Sequence, residues 1–166
     1  MSEFDPPQRS DKPTSIDDID DAHVVLRAVA KLLIPIITLF AFYVQFHGDY
    51  SPGGGFQAGV ILAVAVILFA LVFGLREAKR AVPPGFAKAL AAAGVLLYGG
   101  VGLVTFALGG EYLDYDVLIP DSEHHAGQHV GILLVELGVL STVSGVMMCI
   151  FYAFASREPD ITDEDW

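Results

Sequence analysis

A single carboxylate lies inside a long apolar stretch in the C-terminal part of the chain. Glu136 occurs in GILLVELGVLSTVSG, and no other charged residue occurs between His129 and Arg157. Within a membrane, an ionisable group costs several kcal/mol unless it is paired or hydrated, and is then a candidate for function. Such a carboxylate can carry a proton or coordinate a desolvated cation. Contact with water at the membrane interface and pairing with a neighbouring subunit are the alternatives.

A second group of polar and flexible residues is HGDYSPGGGF, at residues 47–56, between two apolar stretches. Consecutive glycines allow backbone conformations closed to other residues, and irregular backbone at membrane depth needs protein or a water-filled cavity around it. We therefore expect a hinge between two spans, with His47, Asp49 and Gln57 as candidates for an ion route; a tight surface turn is the alternative. The residues expected to bend the chain or to pack closely are Pro52, Gly53, Gly54, Gly55 and Gly59.

A lysine precedes a proline by one helical turn in the first apolar stretch. Pro35 breaks the hydrogen-bond ladder of a helix, so we expect a kink there. A partly open helix beside Lys31 could line a hydrated path. Alternatively, Lys31 extends its long side chain to the membrane interface, as basic residues near the end of a span commonly do.

Three histidines form HHAGQH near the start of the last apolar stretch: His124, His125 and His129. His125 and His129 are four residues apart and can share one helix face, a spacing compatible with a metal ion. No cysteine accompanies them. We expect titration at the outer surface and no bound metal.

The sequence contains no motif typical of nucleotide use or hydrolysis. G-x-x-x-x-G-K-[ST], G-x-S-x-G and H-E-x-x-H are all missing. The net charge of −11 is opposite in sign to the basic surface of a nucleic-acid-binding protein. We expect no catalytic residue, no cofactor and no nucleic-acid partner, and predict that the chain is not an enzyme.

The elements that must position these residues are long and strongly apolar. Hydrophobic residues make up 54% of the 166 and charged residues only 17%, against about 25% charged in a typical soluble domain. A helix needs about 20 apolar residues to cross a bilayer. Four stretches meet that length, and we predict an all-α, polytopic membrane protein. The predicted transmembrane helices are residues 24–46, 56–75, 89–110 and 130–155.

The basic residues predict one orientation. All nine lysines and arginines lie before or early in the first span, between the second and third, or after the fourth. Short segments rich in lysine and arginine stay in the cytoplasm. Both termini are therefore predicted to be cytoplasmic, and loops 47–55 and 111–129 to face outward.

Two acidic tails flank the predicted membrane domain, residues 23–156. Residues 1–22 and 157–166 are polar and acidic, a composition that favours disorder. Residues 15–21 could instead form a short acidic cap at the cytoplasmic face. Small residues recur within the domain at four-residue spacing, as at Gly55 and Gly59, and such spacing lets helices approach closely in lipid. We interpret this as a subunit that packs against helices of other chains.

The most specific stretch is HGDYSPGGGFQAG, residues 47–59, which resembles the HG…PGGGFQ(G/A)G signature of the MnhB/MrpB family, one of the subunit families of Mrp-type (Mnh or Sha) cation/proton antiporters. Residues 125–139, HAGQHVGILLVELGV, are similar to the family's segment entering its last helix. The likeness extends over residues 24–155. Ala58 is a small departure, since glycine is more usual there.

The resemblance implies a multi-pass subunit of the plasma membrane, in contact with lipid. Its partners would be the other Mrp antiporter subunits (A, C, D, E, F and G), in a complex that exchanges Na⁺ or another monovalent cation for protons. Three interpretations stay open at this point. Glu136, with Lys31 and the loop, lines part of an ion route; or the chain is purely structural; or it belongs to a related redox-driven complex of the membrane-bound hydrogenase type and has no ion path of its own.

Overall fold

The computed structural model describes residues 16–48, 52–119 and 126–157, with side chains from Val24 onward. These ranges are helical apart from short connections, which confirms the all-α prediction. The elements are α1 (Ile16–Phe46), α2 (Gly55–Phe73), α3 (Leu75–Ala81), α4 (Pro84–Ala107), a 3-10 turn (Tyr115–Leu118) and α5 (Ala126–Ala155).

Four segments are long and apolar enough to cross a membrane, and their bounds lie within five residues of the prediction. The third begins earlier than predicted because Pro84 occupies the first turn of α4, where its missing N–H and fixed φ favour helix initiation. The second ends at Phe73 because Gly74 adopts φ 99°. The four spans are Val24–Phe46, Gly55–Phe73, Pro84–Ala107 and Ala126–Ala155.

Helix α1 extends further toward the N-terminus than its membrane span. It begins at Ile16, so residues 16–22, which we assigned to an acidic tail, are helical. No glycine or proline lies between Pro13 and Pro35, and nothing in the sequence therefore stops the helix at the membrane boundary. The rest of the predicted tails, residues 1–15 and 158–166, lies outside the described residues.

Helix α5 is the centre of the bundle. It packs against α4 on one side and α2 on the other, and α2 packs in turn against α1. The α4–α5 contact is backbone on backbone: a Cβ atom added at Gly94 would lie 2.5 Å from the carbonyl oxygen of Gly138. A Cβ added at Gly145 would lie 2.6 Å from the carbonyl oxygen of Ala87. Small residues thus set the close contact between two helices of this chain.

The basic helix α3 lies at the same end of the bundle as the end of α5. Lys79 Nζ donates to Ser156 Oγ at 2.7 Å, and Tyr152 Oη donates to the carbonyl oxygen of Val82 at 2.9 Å. This arrangement satisfies the predicted topology, in which both segments share one side of the membrane. Which side is cytoplasmic remains a prediction.

The connection between α4 and α5 folds over the opposite end. Thr105 is buried in α4, and its Oγ1 accepts a hydrogen bond of 2.9 Å from the backbone N–H of Leu113. Leu113 has φ 67°, a left-handed conformation that costs a non-glycine residue about 1–2 kcal/mol. The Tyr115 ring contacts Gly131 of α5. The glycine leaves the space that this ring fills.

Candidate functional site

Glu136 lies about one third of the way along the bundle's central helix, α5. It is ten residues beyond Ala126, the start of α5, or about 15 Å along the helix axis. Its side chain is half-buried and has an interaction within the chain. The carboxylate points at the segment that joins α1 to α2, and the residues around it there are glycines.

Gly48 lies directly against the Glu136 carboxylate. A Cβ atom added at Gly48 would lie 2.7 Å from Oε1 of Glu136, 2.9 Å from its Oε2 and 3.1 Å from the Cα of Gly54. Any other residue at position 48 would therefore meet both carboxylate oxygens. Because those oxygens end a flexible side chain, the carboxylate would have to move away.

The first residues of α2 close the other side of this space. Gly54 caps the helix with φ 129°, a conformation that L side chains rarely adopt. A Cβ added at Gly54 would lie 3.1 Å from Glu136 Oε1. The N-terminus of a helix carries partial positive charge, so α2 presents its positive end to the carboxylate. We call this arrangement of Gly48, Gly54, Gly55 and Glu136 the glutamate cradle.

Gly55 has a different contact from its neighbours. A Cβ atom there would collide with the backbone carbonyl oxygen of Glu136, and a Cβ at Gly59 would lie 2.9 Å from the carbonyl oxygen of Leu140. These two glycines let α2 and α5 touch backbone to backbone. Pro52 is exposed, and a Cβ at Gly53 would lie 2.9 Å from the carbonyl oxygen of Val44, on α1.

Of the polar loop candidates, Gln57 lies at the rim of the cradle. A Cβ at Gly54 would lie 3.7 Å from Gln57 Oε1, although the residue as a whole is exposed. The exposed His47 ring stacks on Tyr43, with ring centroids 4.2 Å apart, and has a further interaction. Asp49 lies outside the described residues.

The structure does not bring Lys31 to this site. Lys31 and Pro35 are both exposed on α1, and Lys31 precedes Gln45 by 14 residues, about 21 Å along the helix. Thr38 Oγ1 donates to the carbonyl oxygen of Ile34 at 2.9 Å, and α1 continues through the proline as one helix. Lys31 therefore belongs to the opposite end of the bundle.

Gln45 is 1% exposed and was not among the residues singled out from the sequence. Within the described part of the chain, neither Nε2 nor Oε1 of its amide has a hydrogen-bond partner. A glutamine next to the end of a span looks like an interfacial residue, and only its burial sets it apart. The one sequence feature that could have pointed to Gln45 is its spacing of three residues from Gly48, which puts the two close together on a helix.

His129 lies at the start of α5, and Tyr115 lies in the connection between α4 and α5. His129 is exposed in the first turn of α5 and makes an interaction, while His124 and His125 lie outside the described residues. Burial, followed by the proximity of Tyr98 and Tyr112, raises the pKa of Tyr115 above its ordinary value.

Comparison with known proteins links the chain to cation exchange. Residues 25–149 match a family described as a domain related to the MnhB subunit of Na⁺/H⁺ antiporter. A protein of Staphylococcus haemolyticus, provisionally named antiporter subunit mnhB2, is 36% identical over 133 residues, covering 80% of this chain and 94% of the relative. Proteins of the same provisional name from Staphylococcus epidermidis and Staphylococcus aureus are 35% and 36% identical, with the same coverage.

Proposed function

The chain belongs to the family of domains related to the MnhB subunit of Na⁺/H⁺ antiporters, and on that premise we propose that it is a membrane subunit of such an antiporter whose Glu136 carboxylate forms part of the ion route. Its four apolar helices, together with the antiporter-subunit family, make it a multi-pass protein of the plasma membrane. The relatives reported above are named for antiport, which does not favour the redox-driven alternative.

One observation carries the proposed role of Glu136: the carboxylate lies within a span, and glycine backbone surrounds it. Gly48 and Gly54 leave room for both oxygens, and the positive end of α2 faces them. A charge at this depth costs several kcal/mol unless its surroundings compensate. A chain that needed only a hinge here would have no reason to enclose a carboxylate.

The chemistry of a buried carboxylate suits exchange. Carboxylate oxygen binds a hard cation such as Na⁺, and it also binds a proton. Either occupant neutralises a charge that is costly in the membrane. The two occupants therefore compete for Glu136, and competition at one site is what an exchanger needs.

The proposal extends to orientation and partners. With both termini in the cytoplasm, the cradle opens toward the external side. The partners are the other antiporter subunits, A, C, D, E, F and G of the Mrp type. Large apolar side chains on α1 are exposed, among them Leu39, Phe40 and Phe46, and contact lipid or those subunits. Co-purification with mass spectrometry identifies the partner chains.

The central test is Glu136→Gln in the complete complex. Exchange is measured as Na⁺-dependent proton movement in inside-out membrane vesicles, with a pH-sensitive dye. We expect a loss of more than tenfold in rate, with the complex recovered intact. The matched control is Glu77→Gln, the same change at a half-exposed carboxylate that pairs with Arg80 at 2.7 Å, which leaves exchange normal.

The structural alternative gives the opposite pattern. If the chain has a purely structural role between its partner subunits, Glu136→Gln leaves exchange normal. Gly55→Leu, which drives a side chain into the backbone of Glu136, then accounts for all loss of function through loss of the complex. Normal exchange in Glu136→Gln vesicles would remove this residue from the ion route.

A further inference from the structure

The buried amide of Gln45 needs a partner that the described residues do not supply. The residue is 1% exposed, and both Nε2 and Oε1 are without a hydrogen bond there. Leaving a buried polar group unbonded costs about 1–3 kcal/mol, and lipid offers no compensation. The protein in its membrane therefore provides something for this amide to bind.

Gln45 shares a helix face with the residue that touches the Glu136 carboxylate. The backbone N–H of His47 donates to the carbonyl oxygen of Tyr43 at 3.1 Å, so the helical path of α1 continues to His47. Residues three apart on a helix lie on one face, which puts Gln45 one turn from Gly48 on the side that meets Glu136. Gln45 therefore precedes the cradle glycine Gly48 by about one turn of the chain and lies deeper in the membrane.

The chemistry of the amide selects the partner. Glutamine has both a donor group and an acceptor oxygen, and both are unbonded. A metal cation would satisfy only Oε1 and leave the Nε2 hydrogens without an acceptor. A water molecule satisfies both. Because Gln45 is 1% exposed, its partner has to be enclosed within the bundle, and a water, which needs a space of only about 10–15 Å³, is the smallest partner that offers both a donor and an acceptor.

We propose that at least one water molecule is bound between the Gln45 amide and the Glu136 carboxylate, forming a hydrated pocket that continues from the cradle toward the centre of the membrane. The pocket keeps the carboxylate in contact with water on its deep side. Only the use of this water in exchange rests on the function proposed above; the existence of the pocket does not.

The first test measures hydration by thiol reactivity in the intact complex. Cys149 is replaced by serine, and Gln45→Cys is compared with Ala41→Cys. Ala41 is 0% exposed and lies on the same helix face, one turn before Gln45 and deeper in the membrane. Membranes are treated with methyl methanethiosulfonate, a small neutral reagent, and modification of each position is followed by mass spectrometry. Only a thiolate reacts, and a thiolate forms where water reaches it.

We expect position 45 to be modified at least tenfold faster than position 41. Equal, slow modification at both positions would show that the region is dry and would overturn the proposal. This readout does not depend on transport. If Glu136→Gln left exchange normal while position 45 stayed reactive, the proposed function would fail and the hydrated pocket would stand.

A second variant guards against misfolding at position 45. Gln45→Met keeps the size of the side chain and removes its hydrogen-bonding groups. With a bound water, we expect exchange to slow at least fivefold while the complex is recovered at its normal yield. An unchanged exchange rate together with a higher melting temperature would mean that the amide was simply unpaired, because its removal then relieves a cost.

Discussion

Two glycine-lined contacts of α5 look alike in the sequence and differ in what the missing side chains make room for. Against α4, Gly94 and Gly145 make room for the backbone and side chains of the facing helix. Against the α1–α2 connection, Gly48 and Gly54 make room for the carboxylate of Glu136. The first contact fixes how close two helices come, and the second fixes where a charge can lie.

This difference shows that a small residue has to be judged by the atom it faces. A Cβ atom placed against backbone atoms forces two helices apart and disturbs the packing of the bundle. A Cβ atom against the end of a flexible side chain forces only that side chain to move. The same substitution is therefore expected to damage assembly at one contact and ion exchange at the other.

The largest effect is expected for Gly94→Ala, at the α4–α5 contact. The new Cβ would lie 2.5 Å from both the carbonyl oxygen of Gly138 and the backbone nitrogen of Thr142. Overpacking of this kind costs about 1–3 kcal/mol, more than the roughly 1 kcal/mol gained in helix propensity. We expect a lower melting temperature of the complex and less of it in the membrane.

The control for that prediction is Gly100→Ala, on the same helix. A Cβ at Gly100 has no atom within 4 Å in the described part of the chain, so only the gain in helix propensity acts on this chain's own fold. A melting temperature equally lowered by both variants would contradict the account of the α4–α5 contact.

A smaller and more selective effect is expected for Gly48→Ala. The added methyl group meets the two carboxylate oxygens of Glu136 and displaces them from the cradle, while the helices keep their places. Vesicle exchange is expected to fall about tenfold, equivalent to about 1.4 kcal/mol, with the complex recovered at its normal yield. Loss of the complex itself would mean that Gly48 serves packing, as Gly94 does.

The smallest effect concerns the connection between α4 and α5 at alkaline pH. Burial raises the pKa of Tyr115, and Tyr98 and Tyr112 add to the rise. Because the folded chain favours the neutral phenol, this contribution to stability is complete below the ordinary pKa of 10.0 and is lost as the pH rises through the raised value. We expect the melting temperature of the wild-type complex to fall more above pH 10.0 than that of Tyr115→Phe. An equal fall in melting temperature for the wild type and Tyr115→Phe would contradict a role of the Tyr115 phenol.

The sequence was informative where length and composition decide the outcome. Four apolar stretches predicted the four spans because crossing a bilayer sets a minimum length. The family resemblance at residues 47–59 is confirmed by the comparisons. Glu136 stood out because it is the one charge in its stretch. The first turns of α1 were assigned to an acidic tail, either disordered or a short cap, although no residue there breaks a helix.

The arrangement of the site could not be predicted, because it depends on which residues meet across helices. Gly48 lies in the loop that drew attention, yet nothing in the sequence pairs it with Glu136. Gln45 stands next to the end of a span, where a glutamine is ordinary, and only its burial sets it apart. Lys31 was grouped with Glu136 as a membrane charge, although the predicted topology already puts Lys31 near the cytoplasmic end of the first span and Glu136 near the outer end of the fourth.

The central claim is that the loop glycines exist to hold the Glu136 carboxylate, and shortening that side chain tests it most directly. Glu136→Asp withdraws the carboxylate by about 1.5 Å, one carbon–carbon bond, away from a methyl group at position 48. We predict that Gly48→Ala slows vesicle exchange about tenfold in the wild-type background and less than twofold in the Glu136→Asp background, since neighbouring sites couple in this way. The same loss in both backgrounds would contradict the account.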